Sequence, residues 1–253
     1  MIDYHIHIGQ FNEKYFDAFD VFEAIEEAGN EYGIDQIWYS STSSCREDVE
    51  LSKIEEEIAY AQKFKSDTLI VKPYLWFTTN YSKQGITIKS ATQTFDYCGI
   101  KLHPSAHCWN LDDSHHKRSL LEIFEWSSDS QKPILIHSGI SKECLPNRFE
   151  EFFRNFPKAN IILAHSNPID MTISLLKEYK NLKCDIAYSR IENINKLLCV
   201  FPLSENRILF GSDFPITNYF SSHLLKYNFS LKEQYKKDCG TSCLLKPKIF
   251  NNY

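Results

Sequence analysis

The sequence predicts an α/β protein built as a single (β/α)8 TIM barrel, and three observations carry that expectation. Eight apolar segments alternate with segments of helical periodicity between Ile2 and Pro215. Several of these runs are continuously apolar, which suits parallel strands covered on both faces. Polar residues able to hold a ligand stand at their C-terminal ends, where barrel enzymes build their sites. An open doubly wound sheet usually has fewer strands and a glycine-rich phosphate loop, and no such loop occurs here.

The first strand is Ile2 to Gly9, in which His5 and His7 are separated by one residue and so project to the same side. After a short polar loop, residues 17–32 place Phe19, Phe22, Ala24, Ile25 and Ala28 at near-helical spacing, and Gly33 ends the helix. A strand over 34–41, a charged helix over 47–65 and a strand over 68–77 continue the alternation, which requires a parallel sheet with helices outside it. Residues 78–95 read as a loop and a short helix. The fourth strand, 97–103, is closed by Pro104, and a helix follows over 114–128. Two similar phrases come next: residues 133–138 and 160–166 are apolar runs that end in His-Ser, with a helix over 148–156 between them. A helix over 171–179, a strand over 182–188, a short helix over 194–201 and a strand over 207–213 complete the set. No linker or low-complexity stretch divides the chain, so residues 1–253 are expected to form one domain.

A formal net charge of −5, with lysines scattered among acidic residues, gives no basic face for nucleic acid. No apolar run approaches the ~20 residues of a membrane span, and the first residues enter a strand without a basic or apolar leader. The expectation is a soluble, cytoplasmic protein that binds no membrane. The eight cysteines are dispersed without a C-x-x-C pair, as expected of reduced thiols. Cys239 and Cys243 have the spacing of half a zinc site but no second pair nearby.

In this arrangement His5, His7, Lys101, His103, His137, His165 and Asp213 converge on one mouth. Three imidazoles and a carboxylate suit Zn²⁺ or a similar divalent ion, with a position left for water. Zinc lowers the pKa of its water from 15.7 towards about 7, and a further histidine is suited to moving the proton. Arg190, after the seventh strand, could pair with a carboxylate. His107, His115 and His116 follow the fourth strand, as solvent-facing loop residues or as ligands of a second metal, and Phe11, Trp76, Trp109 and Tyr219 either line the pocket or cover the barrel top.

Together, the segments His5-Ile6-His7-Ile8-Gly9, Gly99-Ile100-Lys101-Leu102-His103-Pro104, Ile136-His137-Ser138-Gly139, Leu163-Ala164-His165-Ser166 and Leu209-Phe210-Gly211-Ser212-Asp213-Phe214-Pro215 resemble the amidohydrolase superfamily. Specifically, they resemble the branch containing aminocarboxymuconate-semialdehyde decarboxylase, resorcylate decarboxylases and lactone-hydrolysing enzymes. The resemblance implies one metal ion, held by His5, His7, His137 and Asp213; the donor chemistry puts Zn²⁺ first and leaves Mn²⁺ open. The resemblance further implies that His165 activates water or polarises the substrate, and that Asp213 also accepts a proton. In other branches a lysine in the position of Lys101 is carboxylated and bridges two metals. Here it has two further readings, binding a substrate carboxylate or packing its stem in the barrel, and His103 shares its face. The chain is shorter than many relatives and lacks their asparagine-containing helix near the C-terminus.

The function these features predict is hydrolysis of a small carboxylate, lactone or amide by activated water. A non-oxidative decarboxylase uses the same ligands. A TatD-like nuclease also begins with H-x-H but carries a glutamate on strand four, and a non-catalytic barrel that binds metal or a partner is the remaining alternative. The expected partner is a small-molecule substrate, and the outer helices leave room for a homodimer.

Overall fold

The computed structural model describes residues 1–46, 49–217 and 230–242, with side chains described in the last segment as far as Cys239. Nine strands form one sheet: β1 (Ile2–Phe11), β2 (Lys14–Phe16), β3 (Gln36–Ser41), β4 (Ile70–Trp76), β5 (Gly99–Leu102), β6 (Ile134–His137), β7 (Ile161–Ala164), β8 (Leu182–Asp185) and β9 (Ile208–Leu209). Eight of them pair in parallel in chain order, and β2 adds an antiparallel hairpin to β1. This hairpin lies where the sequence predicts only a loop, because Gln10 and Phe11 continue the ladder beyond Gly9.

The sheet closes on itself. Tyr4 N donates to Phe210 O at 3.0 Å, Asp213 N to His5 O at 2.8 Å and His7 N to Phe214 O at 2.8 Å, so the segment after β9 runs along β1. The eighth strand is regular over fewer residues than the expected 207–213, and its continuation is held by these bonds. Closure leaves the barrel itself without an unpaired edge.

Alternation within each strand separates two cores. Ile134 and Ile136 on β6, and Ile161 and Leu163 on β7, lie in the layer under the helices, whereas Leu135 and Ile162 fill the barrel with Tyr74, Cys98 and Ala164. Gly99 makes room there: a Cβ at this position would come within 2.6 Å of the Tyr74 ring and 2.4 Å of Pro133 O. A register shift between Asp3 and Ile6 inserts one extra residue into β1. This bulge resets the alternation, so that Tyr4 packs inside the barrel near Trp38 while His5 and His7 both reach the cavity above.

The outer layer contains α1 (Ala18–Gly29), α2 (Leu51–Ala61), the short helices α3 (Thr79–Lys83) and α4 (Ile88–Ala91), α5 (Ser114–Ser130), α6 (Glu150–Asn155), α7 (Ile169–Glu178), α8 (Ile191–Val200) and α9 (Leu231–Ser242). Asp17 caps α1 by accepting from Phe19 N, and Asp113 caps α5 by accepting from His115 N and His116 N. Residues 78–95 hold two short helices where one is expected, and α2 is shorter than 47–65. No helix among the described residues is long and apolar enough to cross a membrane.

The helix α9 packs on α1 and is joined to the barrel by a buried polar contact. Tyr235 Oη donates to Asp3 Oδ2 at 3.0 Å, while Asp3 Oδ1 accepts from His5 N and Ser212 N, each at 3.1 Å. Burial pushes the Asp3 carboxyl up to about 7, against the hydrogen bonds that lower it. This carboxyl ties the first strand, the last strand and the last described helix together. Asp3→Ala strands three buried donors, and urea unfolding should show a loss of roughly 3 kcal/mol or more, whereas Asp3→Asn, which keeps an acceptor oxygen, should cost less.

Candidate metal centre

The C-terminal ends of the strands surround a cavity of about 980 Å³. His5, His7, Lys101, His103, His137, His165, Arg190 and Asp213, each singled out in the sequence, all line it. Phe11 and Trp76 also line it, whereas Trp109 is buried against His116 and Tyr219 lies outside the described residues.

His5, His7 and Asp213 form the tightest cluster. Asp213 Oδ1 lies 3.0 Å from His7 Nε2 and 3.4 Å from His5 Nε2. Each imidazole is held at its other nitrogen: His5 Nδ1 lies 3.0 Å from Asp185 Oδ2, and His7 Nδ1 lies 3.1 Å from Ser40 Oγ. A carboxylate only accepts, so His5 keeps its proton on Nδ1 and turns the bare Nε2 towards the cavity. There it receives a hydrogen bond from Lys101 Nζ at 2.9 Å.

His137 and His165 are joined in a directed chain. His165 Nδ1 donates to Ala187 O at 3.2 Å, so in the neutral ring its Nε2 is bare and accepts from His137 Nδ1 at 3.0 Å. This leaves His137 Nε2 with a lone pair. The His137 ring stacks on His103, with centroids 3.8 Å apart, and His103 Nδ1 accepts from Ala106 N at 3.2 Å. The neutral His103 ring therefore carries its proton on Nε2, as a donor.

Asp185 belongs to the candidate site, and the sequence reading passed over it. It is fully buried at the end of β8; besides His5, it accepts from His165 N at 2.7 Å and Ala187 N at 3.0 Å. Its signal was a carboxylate facing inward in the apolar run Leu182-Lys183-Cys184-Asp185-Ile186. Cys144, which groups with His103 and His137, was likewise passed over. Gly211 allows the close approach, since a Cβ there would lie 2.9 Å from His5 Cβ and 3.2 Å from Asp185. His165 and Asp213 both have a left-handed backbone, with φ of 67° and 58°. Side chains other than glycine pay for that conformation, which is concentrated at functional sites.

Burial sets the electrostatics. It depresses His5 and His103 well below the ordinary imidazole value, with Lys101 adding to the effect, and depresses His7 and His137 in the same direction. Burial alone would raise Asp213, but His5, the His7 hydrogen bond and His165 hold it below the usual carboxylate range. Lys101 is lowered to about 8 by burial, against the pull of Asp213 and Asp185.

The remaining candidates have structural roles or stand at the rim. His107 Nε2 donates to Ser44 O at 2.7 Å, His116 Nδ1 accepts from Asn110 N, and His115 is exposed in the first turn of α5. Arg190 is exposed at the mouth before α8. Cys239 is buried, and Cys243 lies outside the described residues.

The donor set fits a divalent cation. His5, His7 and Asp213 offer ligand atoms that all lie within 4.8 Å of one another. The unprotonated Nε2 of His5, whose lone pair Lys101 Nζ occupies here, and Asp213 Oδ1 are ligand atoms of the kind that a divalent cation takes, and the partners at the other nitrogens hold the rings in place for it.

A closed parallel barrel with its ionisable side chains gathered at the C-terminal mouth has the build of a (β/α)8-barrel enzyme. The family model described as Amidohydrolase matches residues 87–241, which include Lys101, His103, His137, His165 and Asp213. The chain belongs to the amidohydrolase family. His5 and His7 precede the matched region and join it through the barrel closure. A crystal structure described as amidohydrolase II superposes with a TM-score of 0.59 at 13% identity, covering 94% of this chain and 95% of its own. The uncharacterised TIM-barrel protein Bb4693 from Bordetella bronchiseptica superposes with a TM-score of 0.56 at 15% identity, covering 98% of both chains. Both are likenesses of fold. No curated protein matches the chain by sequence.

Asp185 holds His5 through its ring and His165 through its backbone, so Asp185→Asn should loosen both. Competition with a chelator should show zinc affinity reduced by about 10- to 100-fold, while far-UV circular dichroism stays that of a folded barrel.

Proposed function

We propose that the protein is a metal-dependent hydrolase of a small carboxylate, lactone or amide, with one divalent cation, Zn²⁺ in first place and Mn²⁺ as the alternative. The observation that carries this reading is the bare Nε2 of His5 facing Asp213 Oδ1, with His7 Nε2 on the same oxygen. His5, His7 and Asp213 would hold the cation, and His137, whose Nε2 has a free lone pair, would complete the set. When bound, such a cation makes water nucleophilic near neutral pH.

The chain's own residues supply the rest. Once its hydrogen bond from His137 Nδ1 is released, His165 takes or returns a proton at Nε2, with its ring fixed by Ala187 O and its backbone by Asp185. Asp213 is a second proton acceptor. Lys101 and the Nε2 proton of His103 meet acceptor groups of the substrate, and Arg190 meets a carboxylate at the mouth. The walls exclude water from the floor, where His5 and Lys101 are both 1% exposed. The ordered motif series supports a finer placement beside aminocarboxymuconate-semialdehyde decarboxylase and its lactone-hydrolysing relatives.

Elemental analysis should find one equivalent of metal per chain, and none in the Asp213→Ala, His5→Ala double variant. A panel of lactones, esters and amides of small acids should reveal turnover in the loaded protein. His165→Asn should keep the metal and lower kcat by roughly 10²- to 10⁴-fold. Release of CO₂ without water uptake would replace hydrolysis with decarboxylation, and a protein that takes up neither zinc nor manganese would sink the mechanism.

A second expectation concerns substrate recognition. Arg190→Ala should raise KM for substrates with a distal carboxylate by roughly tenfold and leave neutral lactones almost unaffected, as expected for one lost charge-assisted contact.

A further inference from the structure

We propose that Lys101 is the cation's competitor: its amine holds the one lone pair of His5 that a metal must take, and so sets how tightly the site binds metal. The inference rests on the reading of His5, His7 and Asp213 as a cation site. It goes beyond that reading by giving Lys101 a role that is neither a metal bridge nor a substrate contact.

Three observations lead there. Gly99, Lys101 and His103 alternate with outward-facing Ile100 and Leu102, so the lysine stem rises inside the barrel, where the residue is 1% exposed. Its Nζ lies 2.9 Å from His5 Nε2, its hydrogen-bond partner among the described residues. His5 Nδ1 is committed to Asp185 Oδ2, so Nε2 carries the ring's single available lone pair. One lone pair accepts one hydrogen or binds one cation. Loading the site therefore breaks the Lys101 contact and moves Nζ away from His5.

The geometry also gives the displaced amine a destination. The Trp76 ring centroid lies 5.8 Å from Nζ, and an aromatic face attracts an ammonium group. A carboxylated lysine would behave in the opposite way, since it would add ligand oxygens and recruit a second metal.

The test measures Zn²⁺ and Co²⁺ affinity by chelator competition, together with the metal-to-chain ratio, for the wild-type protein, Lys101→Met and Lys101→Gln. The expected result is one metal per chain throughout, and at least tenfold tighter binding in both variants. Equal or weaker binding in the variants, or a fall from two metals to one, overturns the inference while leaving the cation site standing. A wild-type protein that binds no metal overturns both readings. Should neither variant fold, ¹⁵N spectra of the wild-type protein decide: the Lys101 Nζ signal must shift on addition of one equivalent of Zn²⁺, and an unmoved signal overturns the inference.

Discussion

Asp185 places a carboxylate behind His5, beyond the reach of solvent, and the surrounding chain is arranged to meet it. An unpaired buried carboxylate would be prohibitively costly. Two backbone N–H groups and the His5 ring satisfy it, and each bond fixes a different part of the site. The ring bond selects the His5 tautomer. The bond to His165 N helps hold a turn whose φ is positive. Burial raises the Asp185 carboxyl, and the proximity of His165 and its backbone N–H pull it down.

The same logic of fixed hydrogen-bond direction runs round the mouth. His165 is oriented by the carbonyl of Ala187, His137 by His165, and His103 by the backbone of Ala106. The neutral rings thus become distinct instruments: His5 and His137 offer lone pairs, whereas His103 offers a proton. Burial favours the uncharged form of His5, His7, His103 and His137, which suits a pocket that assembles donors around one carboxylate. Residue type alone would have treated them as equivalent.

Much of the fold was legible because parallel strands announce themselves as apolar runs of similar length. Ile134 to Ile136 and Ile161 to Ala164 are almost uninterrupted, and the helices between them have one apolar face. Strand ends were less legible. Residues 207–213 read as a regular strand, yet the chain after Leu209 belongs to the closure, and Gln10 and Phe11 continue into a hairpin where a polar loop seemed natural. Simple alternation places His5 and His7 together, but only the bulge explains how Tyr4, their immediate neighbour, also turns inward. Asp185 escaped notice because its importance lies in two partners far away in sequence. His107 and His116 attracted notice for their residue type, although their bonds are to backbone groups, Ser44 O and Asn110 N.

Barrel closure has a consequence in the time order of protein synthesis. Asp3 and Ser212, whose contact helps seal the barrel, are 209 residues apart. The strand bearing His5 and His7 leaves the ribosome before the other strands of the barrel, and Asp213 emerges only after them. Until then the early histidines have no acidic partner from the last strand. A nascent chain interrupted before that point carries the imidazoles without a finished site, so the proposed cation site is complete only when the barrel is.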